Sequence, residues 1–172
     1  MKKSKAARLC ILALMIALEI ILTRFLSINT MFLRIGFGFL PMAMLGIMYG
    51  PLWTAGSYLV ADLIGAILFP SGPFFPGFTL TAALSGLVFG LVLHKRPVTV
   101  KTAFLASLIV SLFFNLVLDT VWLSIMYGDA FIALLPTRIV KVVLAIPIET
   151  ALIPFVWNKV FMKIPEVRAQ VR

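Results

Sequence analysis

Asn115, Asp119 and Trp122 stand four and three residues apart in the run Asn115-Leu-Val-Leu-Asp-Thr-Val-Trp122. That spacing places them on one face of a helix. A carboxylate accepts the N–H groups of a flat heteroaromatic ring, and an indole stacks on such a ring. The same three residues would equally serve an interhelical hydrogen-bond network, and the residues alone leave both readings open. A second unusual segment is Phe69-Pro-Ser-Gly-Pro-Phe-Phe-Pro-Gly-Phe78, followed by Thr79 and Thr81. Its prolines and glycines dictate a rigid non-helical turn, and its four phenylalanines supply an aromatic lid. An aromatic belt at a membrane interface would explain the phenylalanines but not the Pro-Gly repetition. Four bases, Arg24, Arg34, Arg138 and Lys141, are expected at the same side as this loop. Positive charge and aromatic surface at one mouth suit a ligand that is both anionic and aromatic.

Other chemistry is missing. No G-x-x-x-x-G-K-[ST] run is present to cradle nucleotide phosphates, so an ATP-driven function needs a separate subunit. One histidine, His94, and one cysteine, Cys10, cannot form a metal cluster or a hydrolytic triad. Cys10 reads as a small inert hydrophobe and His94 as a solvated loop residue. No cofactor and no enzymatic activity are expected. The remaining acids, Glu19, Asp62, Asp129 and Glu149, join Asp119 as groups that need an explanation, because a charge at mid-bilayer is costly unless paired or wetted.

The elements that position these residues are membrane spans. Of 172 residues, 62% are hydrophobic and only 12% are charged, about half the usual share of a soluble domain. Six apolar runs follow: 9–23, 36–49, 52–69, 78–93, 102–127 and 139–161, the last carrying Pro147 and Pro154 as expected kinks. The second is short and is expected to tilt into its neighbours or to be only partly exposed to lipid. The expected fold is all-α, six transmembrane helices in one bundle, with 1–172 forming a single substrate-binding domain. The basic start is read as the flank of an uncleaved first span, because Glu19 and Arg24 interrupt a signal-peptide pattern.

Eleven of the fifteen Lys and Arg residues fall at the two termini (Lys2, Lys3, Lys5, Arg8; Lys159, Lys163, Arg168, Arg172) or between the fourth and fifth runs (Lys95, Arg96, Lys101). That excess marks the cytoplasmic side, so both termini are expected inside a multi-pass cell-membrane protein. The net charge of +9 is clustered in this way rather than along one amphipathic face, so lipid headgroups rather than nucleic acid are its counter-charge. Small residues recur four apart at Ala13/Ala17, Ser57/Ala61/Gly65 and Ala82/Gly86/Gly90, which lets helix backbones approach closely. The latter two stripes read as packing within the bundle, whereas Ala13/Ala17 could equally face a partner subunit.

Leu33-Arg-Ile-Gly-Phe-Gly-Phe-Leu-Pro41, Ala61-Asp-Leu-Ile-Gly65 and Phe69-Pro-Ser-Gly-Pro-Phe-Phe-Pro-Gly-Phe-Thr-Leu-Thr-Ala82 resemble S components of energy-coupling factor (ECF) vitamin transporters. The third stretch, with Asn115-x6-Trp122 and Leu135-Pro-Thr-Arg138, is similar to the folate-binding S components in particular. The resemblance implies high-affinity capture of folate at the outer face and association with a transmembrane coupling subunit and two ATPases. It further implies delivery by toppling in the membrane, with the Ala13/Ala17 pattern docking on the coupling subunit.

On that resemblance the pterin is expected in the interior near Thr79, Asn115, Asp119 and Trp122. The anionic tail is expected on Arg24, Arg34 or Arg138, with Phe75, Pro76, Gly77 and Phe78 folding over the ligand. Two other classes compete. A self-sufficient ion-coupled transporter would use Asp62 or Asp119 as a relay, but six spans without internal duplication argue against it. A membrane enzyme or assembly factor would need a nucleophile–base set that the sequence lacks.

Overall fold

A computed structural model describes residues 5–29, 34–70, 72–128, 131–165 and 167. Lys2, Lys3, Asp129, Arg168 and Arg172 lie outside the described residues, as does the side chain of Arg34. The helices are α1 (Lys5–Arg24), α2 (Phe39–Tyr49), α3 (Pro51–Leu68), α4 (Pro76–Leu93), α5 (Val100–Ile109), α6 (Asp119–Tyr127) and α7 (Phe131–Lys159). A π-helical segment, Val110–Leu118, joins α5 to α6. Among the described residues, the departure from an all-helical chain is a two-residue antiparallel pairing of β1 (Ile28–Asn29) with β2 (Arg34–Ile35).

Five stretches among the described residues are long and apolar enough to cross a bilayer: Lys5–Arg24, Pro51–Leu68, Pro76–Leu93, Val100–Tyr127 and Leu135–Lys163. The expected second span is instead the 11-residue α2, about 16 Å long and too short to cross alone. It is a core helix. Residues Pro41 to Met48 are all buried, as an all-round apolar helix must be. One cluster packs α2 against α4, α5 and α7 through Met44, Ile47, Phe89, Leu93, Ala106 and Ile153. Another packs it against α1 and α3 through Leu12, Met15, Met42, Leu45 and Ala61.

Small residues set the closest approaches, as expected for the third and fourth runs. A Cβ on Gly90 would stand 2.2 Å from Cα of Pro51, and one on Gly86 would stand 2.8 Å from the Thr54 carbonyl oxygen. The α3 stripe faces elsewhere. Ala61 packs with α1 and α2 residues, and Gly65 lies against the Arg24 guanidinium. Gly50, at φ +84°, reverses the chain between α2 and α3, and Pro51 starts α3 where no backbone donor is needed.

Three corrections to the expected elements bear on the site. Helix α4 starts at Pro76, so Phe78 is helical and the irregular loop ends at Phe75. Helix α7 starts at Phe131, eight residues earlier than expected, and carries Pro136, Pro147 and Pro154 in one helix. His94 is not a free loop residue: its Nδ1 sits 3.0 Å from the Ile47 carbonyl oxygen and its ring packs on Gly50. That contact gathers the α2–α3 turn and the His94-Lys95-Arg96 turn at one end of the bundle. Arg8 joins them there, its guanidinium 5.9 Å from the Tyr49 ring and 5.4 Å from the Trp53 ring. The Phe69–Phe75 loop and Arg24 lie at the opposite end, with Phe25 edge-on to Phe69 at 5.1 Å.

Candidate functional site

A cavity of about 380 Å³ opens between α1, α3, α4, the π segment, α6 and α7, within the usual range of small-molecule sites. Two arginines of the expected set line it, and each holds a carboxylate. Arg24, the last residue of α1, places Nη2 3.7 Å from Asp62 Oδ1 of α3 and donates from Nη1 to the Phe69 carbonyl oxygen at 3.4 Å. The Thr79 hydroxyl donates to Asp62 Oδ2 at 2.7 Å, tying α4 to the same pair. On the other wall, Arg138 Nη1 of α7 lies 3.7 Å from Asp119 Oδ2. Both members of this second pair are buried, and Arg138 Nε is buried without a hydrogen-bond partner.

Of the three residues expected to share a face, Asp119 and Trp122 lie on α6 and Asn115 on the π segment. The backbone bonds of that segment run five residues back, as from Asp119 N–H to the Phe114 carbonyl oxygen, which breaks the 3.6-residue periodicity the spacing assumed. Asn115 and Asp119 line the cavity. Trp122 stands behind its wall: the indole N–H donates to Thr81 Oγ1 at 3.0 Å, and the ring packs 5.7 Å from Phe75. Thr81 also lies beside the Asp119 carboxylate, so the indole supports the site through a polar neighbour. Asn115 Oδ1 accepts from Lys141 Nζ at 3.1 Å.

The aromatic loop divides in the same way. Phe75 and Phe78 line the cavity, edge to face with ring centroids 6.2 Å apart. Pro76 and Gly77 instead build the first turn of α4 beneath them. Gly77 is required there, because a Cβ would stand 2.6 Å from both the Phe75 and Trp122 rings. Thr79 sits one position beyond the wall, holding Asp62. Arg34 lies on β2 opposite Asn29, with its side chain outside the description.

Sequence reasoning did not assign to the site several residues that line it: Glu19, Tyr58, Asp62, Ser85, Lys141 and Glu149. Four of these are the ionisable groups that stood out inside spans. Their signal was stripe position. On α7 the residues Arg138, Lys141, Ala145 and Glu149 recur three and four apart on the cavity face. The wall is therefore not simply cationic. Four acids, Glu19, Asp62, Asp119 and Glu149, share it with Arg24, Arg138 and Lys141.

The chain's likeness to known proteins agrees with this geometry. Residues 7–157 match the family model "ECF transporter, substrate-specific component". A relative described as folate transporter FolT, from Clostridium novyi (strain NT), is 43% identical over 149 residues, covering 87% of each chain. A second folate transporter FolT, from Leuconostoc mesenteroides subsp. mesenteroides, is 34% identical over 157 residues, covering 86% of this chain and 83% of the relative. A solved structure described as the crystal structure of FolT bound with folic acid is similar with a TM-score of 0.84 and 35% identity, covering 88% of this chain and 93% of that one. A multi-pass bundle whose polar groups converge on one cavity, matched across most of its length, is a substrate-binding part of a transporter and not an enzyme: the chain belongs to the substrate-specific components of ECF transporters.

Proposed function

We propose that this chain is the folate-binding membrane subunit of an ATP-driven ECF-type vitamin importer. It captures folate from outside the cell and delivers it by reorienting in the cell membrane with a coupling subunit and two ATPases. The observation that carries the reading is the cavity, which Arg138 and Arg24 line together with Phe75 and Phe78. An anionic tail finds guanidinium donors at Arg138 and Arg24, and a flat ring finds aromatic cover. The likeness to a FolT bound with folic acid supports the choice among anionic aromatic compounds. The whole chain acts as one substrate-binding unit with both termini in the cytoplasm, so that the Phe69–Phe75 loop and Arg24 meet the exterior. The energy source lies in partner subunits, and folate is cargo rather than cofactor.

An ion-coupled transporter working alone would need a carboxylate relay at Asp62 or Asp119. Each is held by an arginine, which favours the binding-subunit reading. Titration of purified protein with folic acid, together with mass measurement of any small molecule that co-purifies, tests the ligand. Liposomes containing this chain alone test the mechanism: binding without uptake is expected, and uptake driven by a proton or sodium gradient would overturn it.

A further inference from the structure

Arg8 is engaged at its face and open at its edge. It lies in the first turn of α1, and its guanidinium stands 5.9 Å from the Tyr49 ring of α2 and 5.4 Å from the Trp53 ring of α3. Ring contact of this kind uses the planar face of the group, while its N–H donors stand around the rim. Among the described residues, no carboxylate or other acceptor takes a hydrogen bond from it. The cations around it share that condition. Lys5, Lys95, Arg96 and Lys101 are exposed at the same end, whereas every acid among the described residues, Glu19, Asp62, Asp119 and Glu149, lines the cavity. The described part of the chain supplies this end with no negative charge of its own.

The flanks of Arg8 are apolar and open. Leu9 is 59% exposed, Leu52 79% and Trp53 43%. Further along the same seam α1 and α3 pack directly, with Leu12, Met15 and Ala61 in one cluster. A free phosphate or an acidic peptide would match the donors and leave the leucines and the indole uncovered. A phospholipid matches both, its phosphate on the guanidinium and its acyl chains on the leucines, at the bilayer depth that tryptophan favours. A zwitterionic headgroup would bring a further cation into this acid-free cluster, and an anionic one would not.

We propose that Arg8, held over Tyr49 and Trp53, binds one anionic phospholipid at the α1–α3 seam. In the orientation proposed above, that lipid belongs to the inner leaflet, and its site is independent of what the cavity binds. Native mass spectrometry of the purified protein in detergent, with phosphatidylglycerol or phosphatidylcholine added, tests it. The unmodified protein is expected to hold one phosphatidylglycerol roughly tenfold more tightly than phosphatidylcholine, the scale of a charge-assisted hydrogen bond. Arg8→Gln is expected to abolish that preference. Lys101→Gln removes a cation at the same end that has no ring contact among the described residues, and it is expected to keep the preference. Melting temperatures without added lipid should be nearly the same for all three proteins, the check that both variants fold. Equal retention of the two lipids by the unmodified protein would overturn the proposal without recourse to any variant. Preference that survives Arg8→Gln, or falls as far in Lys101→Gln, would also overturn it. Displacement of the lipid by excess inorganic phosphate would make this a free-anion site, and Arg8→Gln that keeps its lipid but no longer co-purifies with the coupling subunit would give the residue to a protein partner. Either result overturns the lipid assignment.

Discussion

Arg24 and Gly65 form a matched pair: the guanidinium at the end of α1 occupies the space that a side chain on Gly65 of α3 would fill, with Nε 2.7 Å from the position of a Cβ. The glycine makes the Arg24–Asp62 contact at 3.7 Å accessible. Gly65→Ala therefore moves the tip of a flexible side chain off its carboxylate and leaves the helices in place. Folic acid affinity is expected to fall roughly tenfold, the scale of one charge-assisted hydrogen bond, with the melting temperature in detergent nearly unchanged. Gly90→Ala is the contrast. Its Cβ meets backbone at Pro51, which cannot swing away. Overpacking of that kind costs about 1–3 kcal/mol, so a lower melting temperature and loss of monodispersity are expected before any change in site chemistry.

The Arg138–Asp119 pair is buried on both sides, so its halves are not separable. Removing one partner leaves an uncompensated charge in the bundle, a loss of about 3–5 kcal/mol. Asp119→Leu alone and Arg138→Met alone should each lower thermal stability sharply. The double variant Asp119→Leu/Arg138→Met should recover much of it, because a well-packed apolar pair replaces a buried ion pair at little cost. Folic acid binding should stay lost in the double variant, since Arg138, the proposed donor to the tail, is gone. Recovered stability together with recovered binding would remove Arg138 from the site.

Ala13 and Ala17 are exposed on α1, flanked by Leu14 and Leu18 at 64% and 41% exposure. The stripe buried against the bundle is Leu12, Met15, Glu19 and Ile20. Ala13→Leu and Ala17→Leu are thus expected to spare folding and folic acid binding. Co-purification with the coupling subunit and its two ATPases is expected to weaken, because bulk on a small-residue face prevents close backbone approach. Loss of ligand binding and assembly together would make this face internal packing.

What the sequence made legible follows from which rules are local. Long apolar runs and Pro-Gly punctuation located α1, α3 and α4 to within a few residues, and the Lys/Arg asymmetry grouped the turns that the structure brings to one end. The shortness of the second run pointed to a helix tilted or only partly exposed to lipid, but not to the full burial of α2, since apolar residues face lipid and protein interior alike. The π segment was invisible because its signature is a backbone bonding pattern with no composition of its own. Trp122 leaves the shared face within the regular turns of α6, where Thr81 and Phe75 hold its indole behind the wall. Glu149 stood out as a costly group and Lys141 as one of the four outward bases, yet their assignment to the site required knowing which stripe of α7 faces inward. Of the four residues expected to fold over the ligand, Phe75 and Phe78 line the cavity, whereas Pro76 and Gly77 shape the turn beneath them.

The placement of Trp122 separates two ways an aromatic residue can serve a site. Its ring rests on Phe75, and its N–H is spent on Thr81, which lies beside Asp119. Phe75 is the ring that lines the cavity. Trp122→Phe keeps an aromatic surface under Phe75 and removes one hydrogen bond, worth about 1 kcal/mol. Folic acid affinity is expected to fall about fivefold. Phe75→Ala removes the cavity-lining ring and leaves Trp122 without its partner, so a loss at least several times larger is expected from burial and aromatic contact together. Titration calorimetry on both variants decides the order. A Trp122→Phe variant that binds no folic acid, beside a Phe75→Ala variant that still does, would place the indole in direct contact with the ligand and require the α4 N-terminus to rearrange on binding.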